Sequence, residues 1–278
     1  MRSEEIKVCV LRIEGTNCED EMYQAFRELG ASPEKVHLKQ LLGKCPADMK
    51  RELDDYNILA LPGGFSAGDY VRAGAIFAAR IKSELSKDIR SFVESERPVL
   101  GVCNGFQILV ELGLLPAFEG TMSEHPEAAL YTNISGRFEC TPTILKHESR
   151  GKCIFTKRIE KGRMMLVPCA HAEGKLMFAK EKEEKLLAKL EENDQIVFRY
   201  VDEDGEYAGY PWCPNGSLSN IAGICNPAGN VMGMMPHPER VVHRYTHPDF
   251  TRTAADVNGA GDGKAIFESV IESVKRKA

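Results

Sequence analysis

Short apolar runs alternate with helix-like segments through the first third of this 278-residue chain. The runs are rich in Val, Ile and Leu and too short for helices, which is typical of strands buried on both faces of a parallel sheet. After the first run, Met22, Ala25, Phe26 and Leu29 recur at helical spacing until Gly30 ends the pattern. This alternation predicts a doubly wound α/β sheet with its site at the carboxyl ends of the strands. The predicted strands are residues 6–11, 35–38, 56–61 and 98–102.

The boundaries of two helices can also be predicted. Asn17 is the predicted N-cap of the first helix, with Asp20 completing a capping-box-like pair. The last helix follows Gly263 and carries an apolar stripe at helical spacing. The charge-dense stretch 180–194 has three leucines on one face, which predicts a solvated amphipathic helix.

The second half of the chain is less regular than the first. It contains no internal repeat, low-complexity segment or clear linker, so we expect residues 1–278 to form a single domain. Its strand-like runs are residues 141–145, 164–168, 196–201 and 231–235.

Composition excludes several classes of protein. Lys and Arg number 36 against 41 Asp and Glu, a net charge of −5, which disfavours a nucleic-acid-binding module. No apolar run is long enough to span a membrane, and the first residues carry charges where a signal peptide needs an apolar core. The nine cysteines include no CxxC pair, which favours reduced thiols in the cytoplasm over a disulfide framework.

The strongest local signal for chemistry is the sequence GVCNGFQ at 101–107. Gly101 and Gly105 flank Cys103 at the spacing of a nucleophile elbow, where a predicted strand turns sharply into a helix. Small residues are needed at both positions because the backbones of the strand and the helix come close together at such a turn. The backbone N–H of Asn104 would then be placed to bind an oxyanion. The alternative is an inert cysteine buried at the end of a strand.

A cysteine nucleophile needs a base, and two His-x-Glu pairs compete for that role. They are His171 with Glu173 and His237 with Glu239, and each follows a strand-like run. In extended chain, residues two apart point to the same side, so either carboxylate could orient its imidazole. Prolines on both sides of His237 exclude helix there, and the pattern favours this pair without excluding the other.

Two further features have weaker signals. Gly63 and Gly64 directly follow a predicted strand, so their backbone could approach a ligand and complete an oxyanion hole, although a simple turn would look the same. Cys18 also lies at a strand-to-helix junction, but without the elbow glycines it is only a minor candidate for the nucleophile. No combination of Cys and His completes a metal-ligand set, so no metal site is expected.

Taken together, these motifs resemble the class I (triad) glutamine amidotransferases. Within that family they are similar to the glutaminase subunits of a purine-biosynthesis synthetase. The resemblance runs from about residue 6 to 240 and resumes in the last helix. The matching sequences are GTNC at 15–18, GGFSAGDY at 63–70, GVCNGFQIL at 101–109, AHAEG at 170–174 and GMMPHPER at 233–240.

The resemblance implies a flavodoxin-like, mostly parallel sheet with an antiparallel extension, and a Cys-His-Glu triad. Cys103 would attack the side-chain amide of L-glutamine, and His237, held by Glu239, would move the protons. The other implied contacts are Gly64 and Asn104 in the oxyanion hole and Gln107, Phe65 and His171 around the substrate.

The resemblance also implies partners. Ammonia would pass to a large synthetase subunit, accompanied by a small accessory subunit, which converts formylglycinamide ribonucleotide to the amidine. ATP and magnesium would be bound by that synthetase, and no cofactor is expected on this chain.

Two segments, about 117–136 and 242–261, are longer than is usual for the family. Two alternatives to the glutaminase remain. One is another cysteine hydrolase or a DJ-1-like protein on the same scaffold, and the other is a partner subunit that has lost its chemistry.

Overall fold

The computed structural model describes residues 1–252 and 256–277. Its first half alternates strands and helices, as the apolar pattern predicts. The elements of this half are β1 (Lys7–Arg12), α1 (Glu19–Glu28), β2 (Ser32–His37), α2 (Leu38–Leu41), β3 (Ile58–Leu61), α3 (Ala75–Glu84), α4 (Ser86–Glu94), β4 (Val99–Val102) and α5 (Asn104–Glu111).

The second half is dominated by strands. All four strand-like runs of the sequence become strands, and three further strands have no counterpart among the predicted runs. The elements are β5 (Ala129–Thr132), β6 (Glu139–His147), β7 (Met164–His171), β8 (Glu173–Met177), α6 (Glu183–Glu192), β9 (Ile196–Val201), β10 (Ile221–Cys225), β11 (Val231–Met234) and α7 (Lys264–Lys277).

In the described part of the chain, nine strands form one sheet in the order β2-β1-β3-β4-β11-β10-β9-β6-β7. Neighbours are parallel from β2 through to β11 and antiparallel from β11 through to β7. The remaining two strands, β5 and β8, pair with each other in a separate antiparallel ladder. The mixed α/β class with an antiparallel extension is therefore confirmed.

The parallel half holds the centre of the core. Every residue of β3 and β4 is buried, which explains why these strands read as continuous apolar runs rather than as alternating ones. Helices α1 and α7 pack together through Phe26 and Phe267, whose rings meet edge to face at 5.1 Å. The last helix of the chain is thereby joined to the first βα unit.

The predicted start of the first helix is wrong by one residue. Cys18, not Asn17, is the N-cap of α1, and its side chain makes no capping hydrogen bond. The reason lies outside the helix, because the N–H groups of Asn17 and Cys18 both donate to Gly63 O, at 3.3 and 3.1 Å. Asp20 does not close a capping box either, and its carboxylate instead pairs with Lys35 at 2.6 Å.

The second strand begins earlier than predicted and ends one residue before Leu38. His37 caps the short helix α2, since its Nδ1 accepts a hydrogen bond from the Lys39 N–H at 3.2 Å. Because this local acceptor caps a helix that begins at Leu38, the strand ends at His37 although the apolar pattern includes Leu38.

The remaining expectations concern surface segments. The stretch 180–194 forms a 3-10 turn (Lys180–Lys182) followed by α6, which buries Leu190 and exposes its charges, as predicted. The segment 117–136 contains β5, and 242–261 contains a 3-10 turn (Arg244–Thr246), with residues 253–255 outside the described part. No helix in the described ranges is long and apolar enough to cross a membrane.

The contact between α1 and α7 gives a test of the packing. Phe267 is fully buried, so we expect Phe267→Ala to lower the free energy of unfolding by about 3–5 kcal/mol, because it leaves a cavity. Urea unfolding followed by circular dichroism measures the change. Met49→Ala, at a side chain that is 47% exposed, is the control, and an equal effect of both variants would contradict this account.

Candidate active site

The turn between β4 and α5 has the strained geometry of a nucleophile elbow. Cys103 has φ 52° and ψ −108°, a left-handed conformation that a non-glycine residue rarely adopts. A Cβ at Gly105 would lie 1.9 Å from Leu61 O, and one at Gly101 would lie 2.6 Å from Gly105 O. Both glycines are therefore required by close backbone approach, as the spacing in the sequence predicts.

Cys103 is 5% exposed and lies at the amino end of α5. Its Sγ is 3.5 Å from Ala170 O on β7. Backbone N–H groups at a helix start carry partial positive charge. The sulfur thus has a polar environment on two sides, which an inert core cysteine does not need.

His237 and Glu239 form a buried ion pair directly beyond β11. Nδ1 of His237 lies 2.6 Å from Glu239 Oε1, and both side chains are almost completely excluded from solvent. Burial alone would lower the pKa of His237, but the Glu239 carboxylate and the Cys103 thiol outweigh it and hold that pKa well above its ordinary value. In the described part of the chain, Nε2 of this imidazole has no hydrogen-bond partner.

Sheet pairing explains why the elbow and this pair meet. β4 lies between β3 and β11, parallel to both, with Leu61 opposite Gly101 and Val102 opposite Met234. The chain segments that leave the carboxyl ends of three adjacent parallel strands therefore emerge together. The elbow is also tied to the end of β11 by the Cys103 N–H, which donates to Met234 O at 2.8 Å.

The competing pair at His171 and Glu173 does not form. Nδ1 of His171 lies 3.1 Å from Asn133 Oδ1, while the Glu173 carboxylate accepts a hydrogen bond from the Ala73 N–H at 3.0 Å. Burial, and to a lesser extent the nearby charge of His237, lower the pKa of His171 to about 4. His171 is thus a neutral neighbour of the site, and His237 is the imidazole with a carboxylate partner.

The Gly63–Gly64 turn is held beside the elbow by the segment before α1. Gly64 has φ +142°, and a Cβ there would lie 2.5 Å from Asn17 N, so no other residue fits. The Phe65 N–H donates to Gly15 O at 2.8 Å, next to the bonds from Asn17 and Cys18. The GTNC segment at 15–18, which we call the strap, therefore lies against this turn and fixes its shape. The sequence alone did not reveal this role.

A polar network links this loop to the elbow helix. Ser66 donates to Asn104 Oδ1 at 2.6 Å, and Asn104 Nδ2 donates to Gln107 Oε1 at 2.9 Å. Gln107 Nε2 in turn donates to Glu173 O. The structure thus brings Gln107 to the site but engages both ends of its amide within the protein. Phe65 lies at the rim, with its side chain 50% exposed.

The sequence offered Cys18 only as a minor candidate for the nucleophile and assigned no role to Arg240, yet both lie in the site. Cys18 Sγ, a nitrogen of His237 and an oxygen of Glu239 lie within 4.8 Å of one another, the only group of this kind among the described residues. Such donors could hold a thiophilic metal, but Arg240 Nη2 donates to Cys18 Sγ at 3.1 Å. A guanidinium beside the thiol opposes a cation, so this arrangement fits an acid–base site better than a metal site.

The low pKa of His171 gives a prediction about acid stability. The unfolded chain binds a proton at this residue below its ordinary pKa of about 6.5, whereas the folded chain does so only near 4. Stability is therefore lost as the pH falls through this window, by on the order of 3 kcal/mol from this group. We expect His171→Gln to unfold less steeply with acid than the wild type, as measured by urea titrations at pH 7 and pH 5. Parallel losses in both proteins would show that His171 is not buried in its neutral form.

Comparisons with known proteins agree with this geometry. Residues 5–273 match the sequence model of the CobB/CobQ-like glutamine amidotransferase domain. The chain is 55% identical to phosphoribosylformylglycinamidine synthase subunit PurQ of Archaeoglobus fulgidus, covering 99% of this chain and 100% of the relative. It is 50% identical to the same subunit of Picrophilus torridus, covering 96% and 98%.

A solved structure shows the same likeness in three dimensions. A chain of PurLQS from Thermotoga maritima superposes with a TM-score of 0.71 at 32% identity, covering 97% of this chain and 99% of that one. The chain therefore belongs to the CobB/CobQ-like family of glutamine amidotransferases.

Proposed function

We propose that this protein hydrolyses L-glutamine to glutamate and ammonia as the glutaminase subunit of phosphoribosylformylglycinamidine synthase. The name of its relatives supports this, since they are PurQ subunits of that synthase. The observation that carries the chemistry is the strained Cys103 at the end of β4 beside the buried His237–Glu239 pair beyond β11.

Thioester formation is the first half of the proposed reaction. The Cys103 sulfur leaves the Ala170 carbonyl and, with its proton on His237, bonds to the amide carbon, while the carbonyl π electrons move to oxygen. The N–H groups of Gly64 and Asn104 bind that oxygen. As the tetrahedral intermediate collapses, its C–N bond breaks and His237 returns the proton to nitrogen, which releases ammonia.

Hydrolysis of the thioester is the second half. His237, now neutral, takes a proton from water as the water oxygen attacks the thioester carbon. The C–S bond breaks, the proton passes to sulfur, and glutamate leaves. Glu239 serves both halves, because its buried carboxylate fixes the ring and stabilises the imidazolium form of His237.

The other side chains near the site shape the pocket in this proposal. Gln107 anchors the strand that begins at Glu173 through its hydrogen bond to the Glu173 carbonyl. His171 packs, neutral, beside His237, and Phe65 closes the rim over the substrate. None of these roles requires a metal or a cofactor on this chain.

Replacing the nucleophile tests the mechanism. We expect Cys103→Ser to lower ammonia release from glutamine by at least about 10³-fold, because a hydroxyl is far less readily ionised than a thiol. A diazoketone analogue of glutamine should label wild-type Cys103. Cys140→Ser, at an exposed cysteine, is the control, and the mechanism is wrong if the two variants release ammonia equally.

Exposed apolar side chains lie on two segments beside the proposed active site, the loop that follows Gly64 and the segment after β5. We call them the rim patch; its residues are Phe65, Tyr70, Val71, Ile134 and Phe138, each at least 48% exposed. The rings of Phe65 and Phe138 are 6.2 Å apart, which joins the oxyanion loop, as we call the loop that begins at Gly63, to the segment after β5. Large exposed apolar patches mark sites of protein association.

We propose that the rim patch binds the synthetase that consumes the ammonia. Free ammonia becomes protonated in water and loses its nucleophilic lone pair, so a partner seated over the site would preserve it. The Thermotoga maritima chain that resembles this one comes from a structure of PurLQS. In our proposal a large synthetase subunit binds ATP and magnesium, a small accessory subunit completes the complex, and the whole assembly is cytoplasmic, as nine free thiols suit.

A charge placed in the rim patch tests the docking. Val71 is 71% exposed, so Val71→Glu should leave folding and the labelling of Cys103 unchanged. We expect it to weaken binding of the co-expressed synthetase at least roughly tenfold, because a carboxylate would be buried at the interface. Met49→Glu, in the turn after α2, is the matched control. Equal binding by both variants, measured by analytical ultracentrifugation, would place the interface elsewhere.

The alternatives are less well supported. A partner subunit without chemistry would not need a buried imidazole–carboxylate pair or the strain at Cys103, both of which cost stability. A DJ-1-like protein would hold an acidic residue against the elbow cysteine. Here the helix that follows the elbow carries Gln107, whose amide binds Asn104 and a backbone carbonyl.

A further inference from the structure

Cys18 is a buried thiol in the site that the proposed mechanism does not use. It is the N-cap of α1 and is only 3% exposed. Its N–H donates to Gly63 O at 3.1 Å, so its backbone is tied to the oxyanion loop. It is unlike Cys103 in conformation, since its φ of −102° is ordinary and no elbow strain projects its sulfur toward a substrate.

The side chains of Cys18, Cys103 and His237 all lie close to Gly63. A Cβ added there would lie 3.3 Å from Cys18 Sγ, 3.3 Å from Cys103 Cβ and 2.7 Å from Cε1 of His237. One added carbon would therefore touch both thiol side chains and strike the imidazole.

Arg240 holds the sulfur of Cys18 in place. Its Nη2 donates to Sγ at 3.1 Å, and it directly follows Glu239 in the chain. The Arg240 N–H also donates to His237 O at 3.3 Å. One residue thus contacts both the backbone of His237 and the thiol beside its ring.

We propose that Cys18, held by Arg240, is a positioning residue that keeps the His237 imidazole aimed at Cys103. Cys18 Sγ, a nitrogen of His237 and an oxygen of Glu239 lie within 4.8 Å of one another. Glu239 holds Nδ1 of the ring and the Cys18 sulfur lies close to it, while Nε2 has no hydrogen-bond partner among the residues that the structure describes. This inference rests on the proposed glutaminase function.

Sulfur beside the ring also has an electrostatic effect. Burial lowers the pKa of His237, while Glu239, Cys103 and Cys18 raise it. The groups that face it from β7 are Cys169 and the neutral His171. Removing the acceptor at position 18 removes one of the groups that raise the pKa, so His237 should lose its proton at lower pH.

The test compares variants in the full chain and in its complex with the synthetase. Cys18→Ala should lower kcat for ammonia release roughly 10- to 100-fold, as expected for a misplaced base, with KM nearly unchanged. The rate at which the diazoketone analogue labels Cys103 should fall at high pH, where His237 loses its proton. In Cys18→Ala this alkaline limb of the pH profile should move to lower pH. Cys18→Ser keeps an acceptor for Arg240 and should restore most of the rate and the position of that limb.

A matched control separates this role from a purely structural one. Cys9→Ala removes the same atom from another fully buried cysteine, which faces Glu34 and Tyr56, so it should leave the alkaline limb where it is. Arg240→Met should cost less in kcat when Cys18 is already Ala, because the two act through one contact. If Cys18→Ala does not fold, Cys18→Ser and Cys18→Val give the same contrast between keeping and losing the acceptor.

The outcomes distinguish the two proposals. If wild-type Cys103 is not labelled and glutamine yields no ammonia in the complex, the glutaminase function itself is wrong. If the wild type reacts but Cys18→Ala shows an unshifted limb, or if the losses at Cys18 and Arg240 simply add, the positioning role is overturned. Label on Cys18 in place of Cys103 would overturn it as well.

Discussion

The parallel pairing of β4 with β3 and β11 is the constraint on which the site depends. Strand pairing sets the distance between neighbouring strands at about 4.8 Å, so the segments that follow the three strands have little freedom to separate. One segment carries the glycine turn, the next Cys103 and the third His237. Burial of β3 and β4 on both faces keeps this arrangement rigid.

Two neighbouring histidines show how partners decide charge in a buried site. Both are almost fully buried, which by itself favours the neutral form of each. His237 faces a carboxylate and thiols, and its pKa rises, whereas His171 faces the amide of Asn133, and its pKa falls. Their proximity reinforces the difference, since a charged His237 further disfavours a second positive charge nearby.

The parts of the site that could be predicted were those encoded by local spacing. The glycines around Cys103 are required by contacts within a few residues or with the adjacent strand, so the elbow was visible in the sequence. The strap at 15–18 and the contact between Cys18 and Arg240 were not. Those two residues are 222 positions apart, and no periodicity links them. The N-cap of α1 was predicted one residue too early for the same reason. Gly63 O, which is distant in sequence, accepts hydrogen bonds from the N–H groups of Asn17 and Cys18.

The sequence by itself determined the alternation of buried strands and helices, the α/β class, the elbow at Cys103 and, through the resemblance of five motifs, the family. These follow from residue type and short spacing, which act wherever the segment lies. The tertiary structure explains why His237 and not His171 has a carboxylate partner, and it alone decided that Cys18 joins the site while Gln107 is tied within the protein. These depend on which strands are neighbours and on what each side chain meets when it is buried.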